Sequence, residues 1–414
     1  MLIGIVVVGA VARYLGPDQF GVLNYAISLT AIFSVLASLS LEGIVIRELV
    51  SHPDQISRIL GTSFGLRLLG SLAAILMVLL VSVCTQNEGN FTLLALIISM
   101  SFLPGSLEVI ELWFQKSIQA KYTVIGRIAS TVIASALKLI FVYFEAPLEV
   151  FAAMQCVDAL LGGLALVIAF KTRGQKITSW TFDRPLARVL IRECWPLVFS
   201  GFLLSACSRV DQILVKEVLG DRAVGVYYSA LRISEVWGII PSALLTTVYP
   251  LLVAKRREAP EKYSARLQTL FDLLTGLGYV FALATTLLGG FLIPFIFGAE
   301  YKSAVPILLI QAWAAPLTCS ALARAQCMLL EKQTLLYTPI ALLYLAINIP
   351  LAIFLMERFG TVGAAFGVLI SSICSGYLTS FMFPVLRPWG FIQTKAFLMP
   401  FRFRKVYRTV KHLR

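Results

Sequence analysis

Charged residues are scarce in this sequence, and their scarcity excludes an ordinary soluble protein. Asp, Glu, Lys and Arg make up 14% of the 414 residues, whereas hydrophobic residues make up 58%. A soluble domain usually carries about 25% charged residues. Because the mean hydropathy is +0.85, we expect the chain to be embedded in a membrane.

Histidine is rare, and the cysteines show no metal-binding spacing. The two histidines, His52 and His412, lie outside the apolar runs, which argues against a histidine proton relay in the membrane. The seven cysteines lie mostly inside apolar runs and form no CxxC pair. We therefore expect free thiols, with no disulfide, no metal site and no cofactor.

What the sequence does contain is a series of long apolar runs. They are roughly twenty residues long, the length of a helix that crosses a hydrocarbon core of about 30 Å. The alternating ten-residue strands of a barrel are missing, so the predicted fold class is an all-α membrane protein. Charged or turn-rich breaks predict twelve spans: 1–15, 20–46, 59–84, 91–114, 122–144, 148–170, 193–216, 225–254, 269–297, 304–330, 335–356 and 361–386.

The basic residues fall mainly on one side of these spans. Connections on the side of the termini carry 24 Lys and Arg, and the opposite connections carry five. The positive-inside rule then predicts an even number of spans with both termini in the cytoplasm. We interpret the net charge of +13 as topology and contact with anionic lipid, and not as nucleic-acid binding. The first run is short, so we expect the first helix to begin upstream of Met1.

A thirteen-residue pattern occurs twice. Residues 14–26 read YLGPDQFGVLNYA and residues 218–230 read VLGDRAVGVYYSA, with matching positions 204 residues apart. Six predicted spans separate the copies, which indicates two six-helix lobes in parallel orientation around a central cavity. The predicted organisation is an N-terminal lobe 1–170, a cytoplasmic linker 171–192, a C-terminal lobe 193–386 and a basic cytoplasmic tail 387–414.

Several blocks resemble a known family in order and spacing. They are YLGPDQFGVLNYA, EGIVIRELV, ELWFQKSIQAKY, RVDQILVKEVLGDRAVGVYYSALRISE, FGAEYKSAVPIL and FGTVGAAFGVLIS. Together the sequence resembles the polysaccharide or O-antigen flippases (Wzx type) of the multidrug/oligosaccharidyl-lipid/polysaccharide exporter superfamily. The resemblance implies a multi-pass protein of the bacterial inner membrane that moves undecaprenyl-pyrophosphate-linked oligosaccharide between leaflets by alternating access.

The same resemblance sets the expected partners and the alternatives. The partners are the lipid-linked oligosaccharide and membrane lipids, with a polysaccharide polymerase and chain-length proteins as candidates. A multidrug exporter and a lipid II-type flippase of the same superfamily remain as alternatives. An enzyme is not expected, because no Walker A, GxSxG or HExxH motif occurs and the longest non-cytoplasmic connection has about nine residues, too few to hold a catalytic acid.

Six basic residues lie within the predicted spans, where each costs about 2.5–3.5 kcal/mol at a helix centre. A cationic cavity that shelters the pyrophosphate would explain them, so we predict that they bind substrate: Lys138, Arg232, Arg127, Arg209, Arg67 and Arg324. Arg127, Thr131, Ser135 and Lys138 follow one helix face. Lys138 is the foremost candidate, because no acid lies within a turn of it.

Four carboxylates are candidates for coupling transport to an ion gradient, whether of protons or sodium: Glu42, Asp158, Asp211 and Glu235. Two other interpretations stay open. Arg232 can pair with Asp211 or Glu235 to fix two helices. Arg67, Arg127 and Arg324 lie nearer the cytoplasmic ends and can extend to lipid head groups.

Overall fold

The computed structural model describes residues 2–84, 89–245, 248, 260–331 and 333–400. The regular elements in these ranges are all helices. The chain divides into two compact units, Met1–Ile213 and Leu214–Arg414, each of which buries its own apolar core.

The first unit is organised around its N-terminal helix. Its helices are α1 Leu2–Ser38, α2 Glu42–Ser51, α3 Ile56–Cys84, α4 Gly89–Ser99, α5 Phe102–Gly105, α6 Val109–Lys116, α7 Ala120–Tyr143, α8 Leu148–Thr172 and α9 Arg184–Leu219, the last of which reaches the second unit. Helix α1 packs against α3, α4, α7 and α8. Its buried side chains include Tyr25, whose ring lies 4.8 Å from that of Phe91.

The second unit packs its helices mainly in sequential pairs. They are α10 Asp221–Trp237, α11 Pro260–Phe297, α12 Ala304–Leu330, α13 Tyr337–Phe359, α14 Thr361–Ile373, α15 Thr379–Met382 and α16 Arg387–Phe397. Helix α11 packs on α12 and α13 on α14. A π-helical turn, Cys374–Leu378, joins α14 to α15.

Ten helices in the described residues are long and apolar enough to cross a membrane. The first, Gly4–Ser51, has 48 residues, more than twice the roughly twenty that one crossing needs. The predicted eighth span, 225–254, runs into residues outside the described ranges. An all-α, multi-pass fold with about twelve spans is therefore confirmed.

The bounds of the second predicted span, 20–46, were wrong. Helix α1 ends at Ser38, and the chain turns through Leu39 and Ser40, whose φ angles are 53° and 47°. Left-handed backbone cannot continue a right-handed helix. A separate helix, α2, then begins at Glu42.

The repeated sequence pattern corresponds to a repeated backbone conformation. Gly16 has φ 69° and ψ 169°, and Gly220 has φ 84° and ψ −178°. This region of backbone space is essentially restricted to glycine. Each glycine lies between two helical segments, so both copies of the pattern form the same corner.

The predicted linker, 171–192, is structured over most of its length. Its last nine residues begin helix α9 at Arg184, and the preceding turn packs closely on α3. The backbone N–H of Thr181 donates to the carbonyl oxygen of Ser57. A Cβ atom on Gly61 of α3 would lie 2.7 Å from backbone atoms of Thr181, so only glycine lets the segments approach this closely.

The predicted tail, 387–414, begins as part of the second unit's core. Trp389 and Gln393 of α16 are buried, and the Tyr279 hydroxyl of α11 donates to the carbonyl oxygen of Phe397. The rest of the proposed membrane-surface segment, 401–414, lies outside the described residues.

Candidate functional site

A polar cavity of about 360 Å³ lies among α6, α7 and α8 of the first unit. Its lining includes Ser101, Glu108, Glu111, Thr123, Arg127, Ser130, Thr131, Gln155, Asp158, Ala159, Gly162, Gly163 and Leu166. The polar side chains recur at intervals of three or four residues, which places them on one face of each helix. Two sequence-predicted site residues, Arg127 and Asp158, therefore meet here.

Helix packing around the cavity depends on small residues. A Cβ atom on Gly126 of α7 would lie 3.1 Å from the Cβ of Ala165, and one on Gly163 would lie 3.2 Å from the carbonyl oxygen of Pro104. The close approach of these backbones holds the polar faces of α7 and α8 near the Glu108–Glu111 turn.

Arg127 bridges two glutamates that the sequence analysis did not identify. Its Nη2 atom lies 3.4 Å from Glu108 Oε1 and 3.3 Å from Glu111 Oε2. The Arg127 side chain is 66% exposed, so it lies at the opening of the cavity. Because the lining adds Asp158 to the two glutamates, this cavity has more carboxylates than cations.

A signal for the two glutamates was present in the sequence. Glu108 and Glu111 lie three residues apart in EVIELWFQK, and this spacing puts both carboxylates on one helix face. Both residues lie within the predicted span 91–114, but only the Lys and Arg residues of the chain were counted.

Arg67 and Glu42 form an ion pair in the first unit. Arg67 Nη2 lies 2.6 Å from Glu42 Oε1, with the arginine side chain 3% exposed and the glutamate 49% exposed. The predicted extension of Arg67 to lipid head groups does not occur, because its charge is held inside the protein. Glu42, one of the candidate coupling carboxylates, is therefore already paired with an arginine.

The other cations of the first unit are more accessible. Lys138 of α7 and Arg209 of α9 are both partly exposed, as is Asp211. The neighbouring residue, Gln212, is buried and its side-chain oxygen accepts a hydrogen bond from the Ser28 hydroxyl of α1. Lys138 follows Arg127 by eleven residues, or about 16 Å along the helix, and does not line the cavity.

In the second unit, Arg232 pairs with Glu235 on the same helix. Arg232 Nη1 lies 3.2 Å from Glu235 Oε2, and each side chain is 34% exposed. The sequence analysis gave Asp211 and Glu235 as possible partners of Arg232, and the structure shows a contact with Glu235. This pair lies within α10 and leaves both groups accessible.

Arg324 is enclosed by neutral groups of the second unit. Its Nη1 atom donates to the hydroxyls of Thr379 and Ser380, each at 2.8 Å, and its Nη2 atom donates to the carbonyl oxygen of Ser375 at 2.9 Å. The residue is 5% exposed, so it does not extend to lipid head groups. It cross-links α12 to the π-helical turn and α15.

The described residues hold no group of three or more His, Cys, Asp or Glu side chains that could bind a metal ion. All seven cysteines are free.

Comparison with known proteins supports a transporter. A relative from Shigella flexneri named "Putative O-antigen transporter" is 26% identical over 410 residues, covering 92% of this chain and 94% of that protein. An inward-facing multidrug resistance MATE family transporter superposes with a TM-score of 0.73 over 99% of this chain and 95% of its own, at 13% identity.

The lipid II flippase MurJ, in an inward closed conformation, superposes with a TM-score of 0.72 over 97% of this chain and 89% of its own, also at 13% identity. These two structures show the fold. The family model described as "Polysaccharide biosynthesis protein" matches residues 1–255. Because this match covers more than half of the sequence, the chain belongs to the polysaccharide biosynthesis protein family and is a multi-pass membrane protein.

Proposed function

We propose that this transporter flips undecaprenyl-pyrophosphate-linked oligosaccharide, an O-antigen or other surface polysaccharide repeat unit, across the bacterial inner membrane. The observation that carries the proposal is the likeness to an O-antigen transporter along 92% of the chain. A pyrophosphate cannot cross hydrocarbon without replacing its water, and cations on membrane-spanning helices supply that replacement.

Four of the six cations are accessible enough to contact such a substrate. Arg127, Lys138, Arg209 and Arg232 are exposed or partly exposed. Arg67 and Arg324 are buried in contacts with protein groups, so we assign them the role of holding helices together. Arginine provides bidentate contacts to phosphate oxygens and lysine provides a point charge.

The contacts of Arg127 provide a way to couple substrate binding to the binding of a proton. Its guanidinium lies within 3.4 Å of Glu108 and 3.3 Å of Glu111. Protonation of these glutamates, or of Asp158 in the same cavity, would release Arg127 for the pyrophosphate. Substrate and carboxylates then compete for one cation, which links transport to the protonation state of the cavity.

The membrane orientation and the partners belong to the same proposal. The excess of basic residues on one side supports cytoplasmic termini. A protein that delivers repeat units to the outer face of the inner membrane would work beside a polysaccharide polymerase and chain-length proteins.

Proteoliposomes that contain a labelled undecaprenyl-pyrophosphate-linked sugar provide the test. A Lys138→Ala, Arg232→Ala variant should transport at least tenfold more slowly than the parent, since each charge-assisted contact contributes about 1.5–3 kcal/mol. A Lys171→Ala, Lys302→Ala variant is the control, because it removes two exposed charges, one from each unit. Equal transport by both variants and the parent would reject the assignment of Lys138 and Arg232 to substrate binding, and no transport by the parent would reject the substrate assignment.

One observation favours a multidrug exporter as the second candidate. The cavity in the first unit has three carboxylates and one arginine, a charge balance that suits a cationic drug. Cells that express the protein would then resist cationic dyes, and proteoliposomes would leave the lipid-linked sugar untransported. Under the first proposal the dyes are not exported. A lipid II-type flippase would instead transport labelled lipid II in the same vesicles.

A further inference from the structure

An open groove of about 450 Å³ lies on the surface of the first unit, between α3 and the start of α9. Its lining residues are Leu66, Leu69, Phe182, Arg184, Ala187, Arg188, Ile191 and Arg192. Leu69 and Phe182 are 59% and 50% exposed. The groove therefore combines an apolar floor with a row of arginines, and neither the cavity described above nor the proposed transport function uses it.

The three arginines are spaced by four residues and form a single edge of the groove. Successive members lie about 6 Å apart along the helix, so the row is about 12 Å long. Within the part of the chain that the structure describes, the side chains of Arg184, Arg188 and Arg192 form no ion pair and no hydrogen bond. Their positive charge is uncompensated by protein.

The nearby carboxylates are directed elsewhere. Asp183 Oδ2 lies 2.9 Å from Arg58 Nε, and Glu193 Oε2 lies 2.6 Å from Arg47 Nη2. Each acid adjoins the arginine row in sequence, yet each pairs with a cation from a different helix. The row is thus left free for an external anion.

The sequence around the groove is typical of the level of lipid head groups. Helix α9 has 36 residues, which corresponds to about 54 Å, far more than the roughly 30 Å hydrocarbon core. Trp195, one turn beyond Arg192, is 69% exposed, as expected for a tryptophan at the membrane interface. The arginines therefore lie on the polar side of Trp195, and the exposed leucine and phenylalanine can contact acyl chains.

We propose that this groove is a binding site for an anionic phospholipid of the surrounding bilayer, with its phosphate on the arginine row and an acyl chain on the apolar floor. Arginine binds phosphate oxygens in pairs, and basic pockets beside membrane helices attract anionic head groups. A row of about 12 Å suits two separated phosphates, as in cardiolipin or two adjacent phosphatidylglycerols, better than the two adjoining phosphates of a polyprenyl pyrophosphate.

The test compares lipid binding by the parent and two variants in detergent. The variant Arg184→Gln, Arg188→Gln, Arg192→Gln removes the row. The control variant Lys171→Gln, Arg173→Gln, Lys176→Gln removes the same charge from exposed positions earlier in the same connection. Native mass spectrometry counts bound cardiolipin and phosphatidylglycerol, and thermal unfolding measures the stabilisation that each lipid gives.

Both anionic lipids should bind and raise the melting temperature of the parent and the control, whereas phosphatidylethanolamine should not. The row variant should bind them about ten- to a hundredfold more weakly while its melting temperature without lipid stays near that of the parent. Undiminished binding by the row variant, or equal stabilisation by phosphatidylethanolamine, would overturn the proposal. A response to undecaprenyl pyrophosphate alone would also overturn it, because the groove would then belong to the transported lipid.

Discussion

Arg67 Nη2 lies 2.6 Å from Glu42 Oε1, yet the two side chains differ greatly in exposure, at 3% and 49%. The pair is therefore asymmetric. A half-exposed carboxylate can be solvated when its partner is removed, whereas a buried guanidinium cannot.

This asymmetry predicts unequal effects of mutating the two partners. Glu42→Ala leaves a buried charge uncompensated and should lower the free energy of unfolding by about 2–3 kcal/mol. Arg67→Met should cost about 1 kcal/mol or less, since methionine fills similar volume. Thermal and denaturant unfolding in detergent would measure both.

Arg47 and Glu193 provide the matched control for this experiment. Their atoms are also 2.6 Å apart, but the side chains are 55% and 38% exposed. Glu193→Ala should change stability by less than about 1 kcal/mol. If Glu42→Ala is no more destabilising than Glu193→Ala, burial does not govern the Arg67 pair.

Gly61→Ala should destabilise the first unit, although alanine favours helices. Its Cβ would lie 2.7 Å from backbone atoms of Thr181 and would push the turn before α9 away from α3. We expect a loss of about 1–3 kcal/mol. Gly290→Ala, at a helical position with no atom within 4 Å of the new Cβ, should be neutral or stabilise by up to about 1 kcal/mol. Equal effects at the two positions would contradict the close packing.

The two corner glycines should be equally intolerant of a side chain. Gly16→Ala and Gly220→Ala each place alanine at a positive φ, at a cost of about 1–3 kcal/mol. For Gly220 the cost is one of backbone conformation, since no atom lies within 4 Å of the new Cβ. Gly43→Ala, which is equally unobstructed but lies within helix α2, should be tolerated. Unchanged melting temperatures for both corner variants would show that the two corners do not require glycine.

Asp183 should contribute stability that is lost in acid. The Arg58 side chain and the backbone N–H of Leu186 both donate hydrogen bonds to its carboxylate, and they lower its pKa below the ordinary 3.8. This stabilisation is fully present above the ordinary value and disappears as the pH falls through the lowered pKa.

The melting temperatures of the parent and Asp183→Asn should therefore differ most near neutral pH and converge as the pH falls through the lowered pKa. Asp54→Asn, at an exposed position, controls for the loss of one carboxylate. A parent-to-variant difference in melting temperature that does not narrow as the pH falls would show that Asp183 acts without its charge.

Arg127 can be tested by rescue. Arg127→Ala should slow transport of the lipid-linked sugar at least tenfold and leave Glu108 and Glu111 without their cation. The triple variant Arg127→Ala, Glu108→Gln, Glu111→Gln removes the uncompensated charge and should regain stability but not transport. Full recovery of transport by the triple variant would show that Arg127 serves only to neutralise the glutamates.

Some contacts in the structure could be predicted from local sequence patterns, and others could not. The corners at Gly16 and Gly220 were predictable, because a repeated pattern in the chain specifies a repeated local conformation. The pairing of Arg232 with Glu235 was also predictable, because residues at positions i and i+3 lie on the same face of a helix. By contrast, no local pattern links Arg324 to Thr379 and Ser380, more than fifty residues later.

The sequence by itself determined the membrane environment, the approximate number of spans and the repeated corner. These properties depend on apolar runs, turn residues and loop charges, each of which is local and additive along the chain. Only the tertiary structure decided which charges form ion pairs within the protein, because Glu42 lies 25 residues from Arg67 and Glu193 lies 146 residues from Arg47. Whether a charged side chain in a membrane protein forms an ion pair depends on which side chains lie next to it after folding. Those neighbours come from helices that are distant in the sequence.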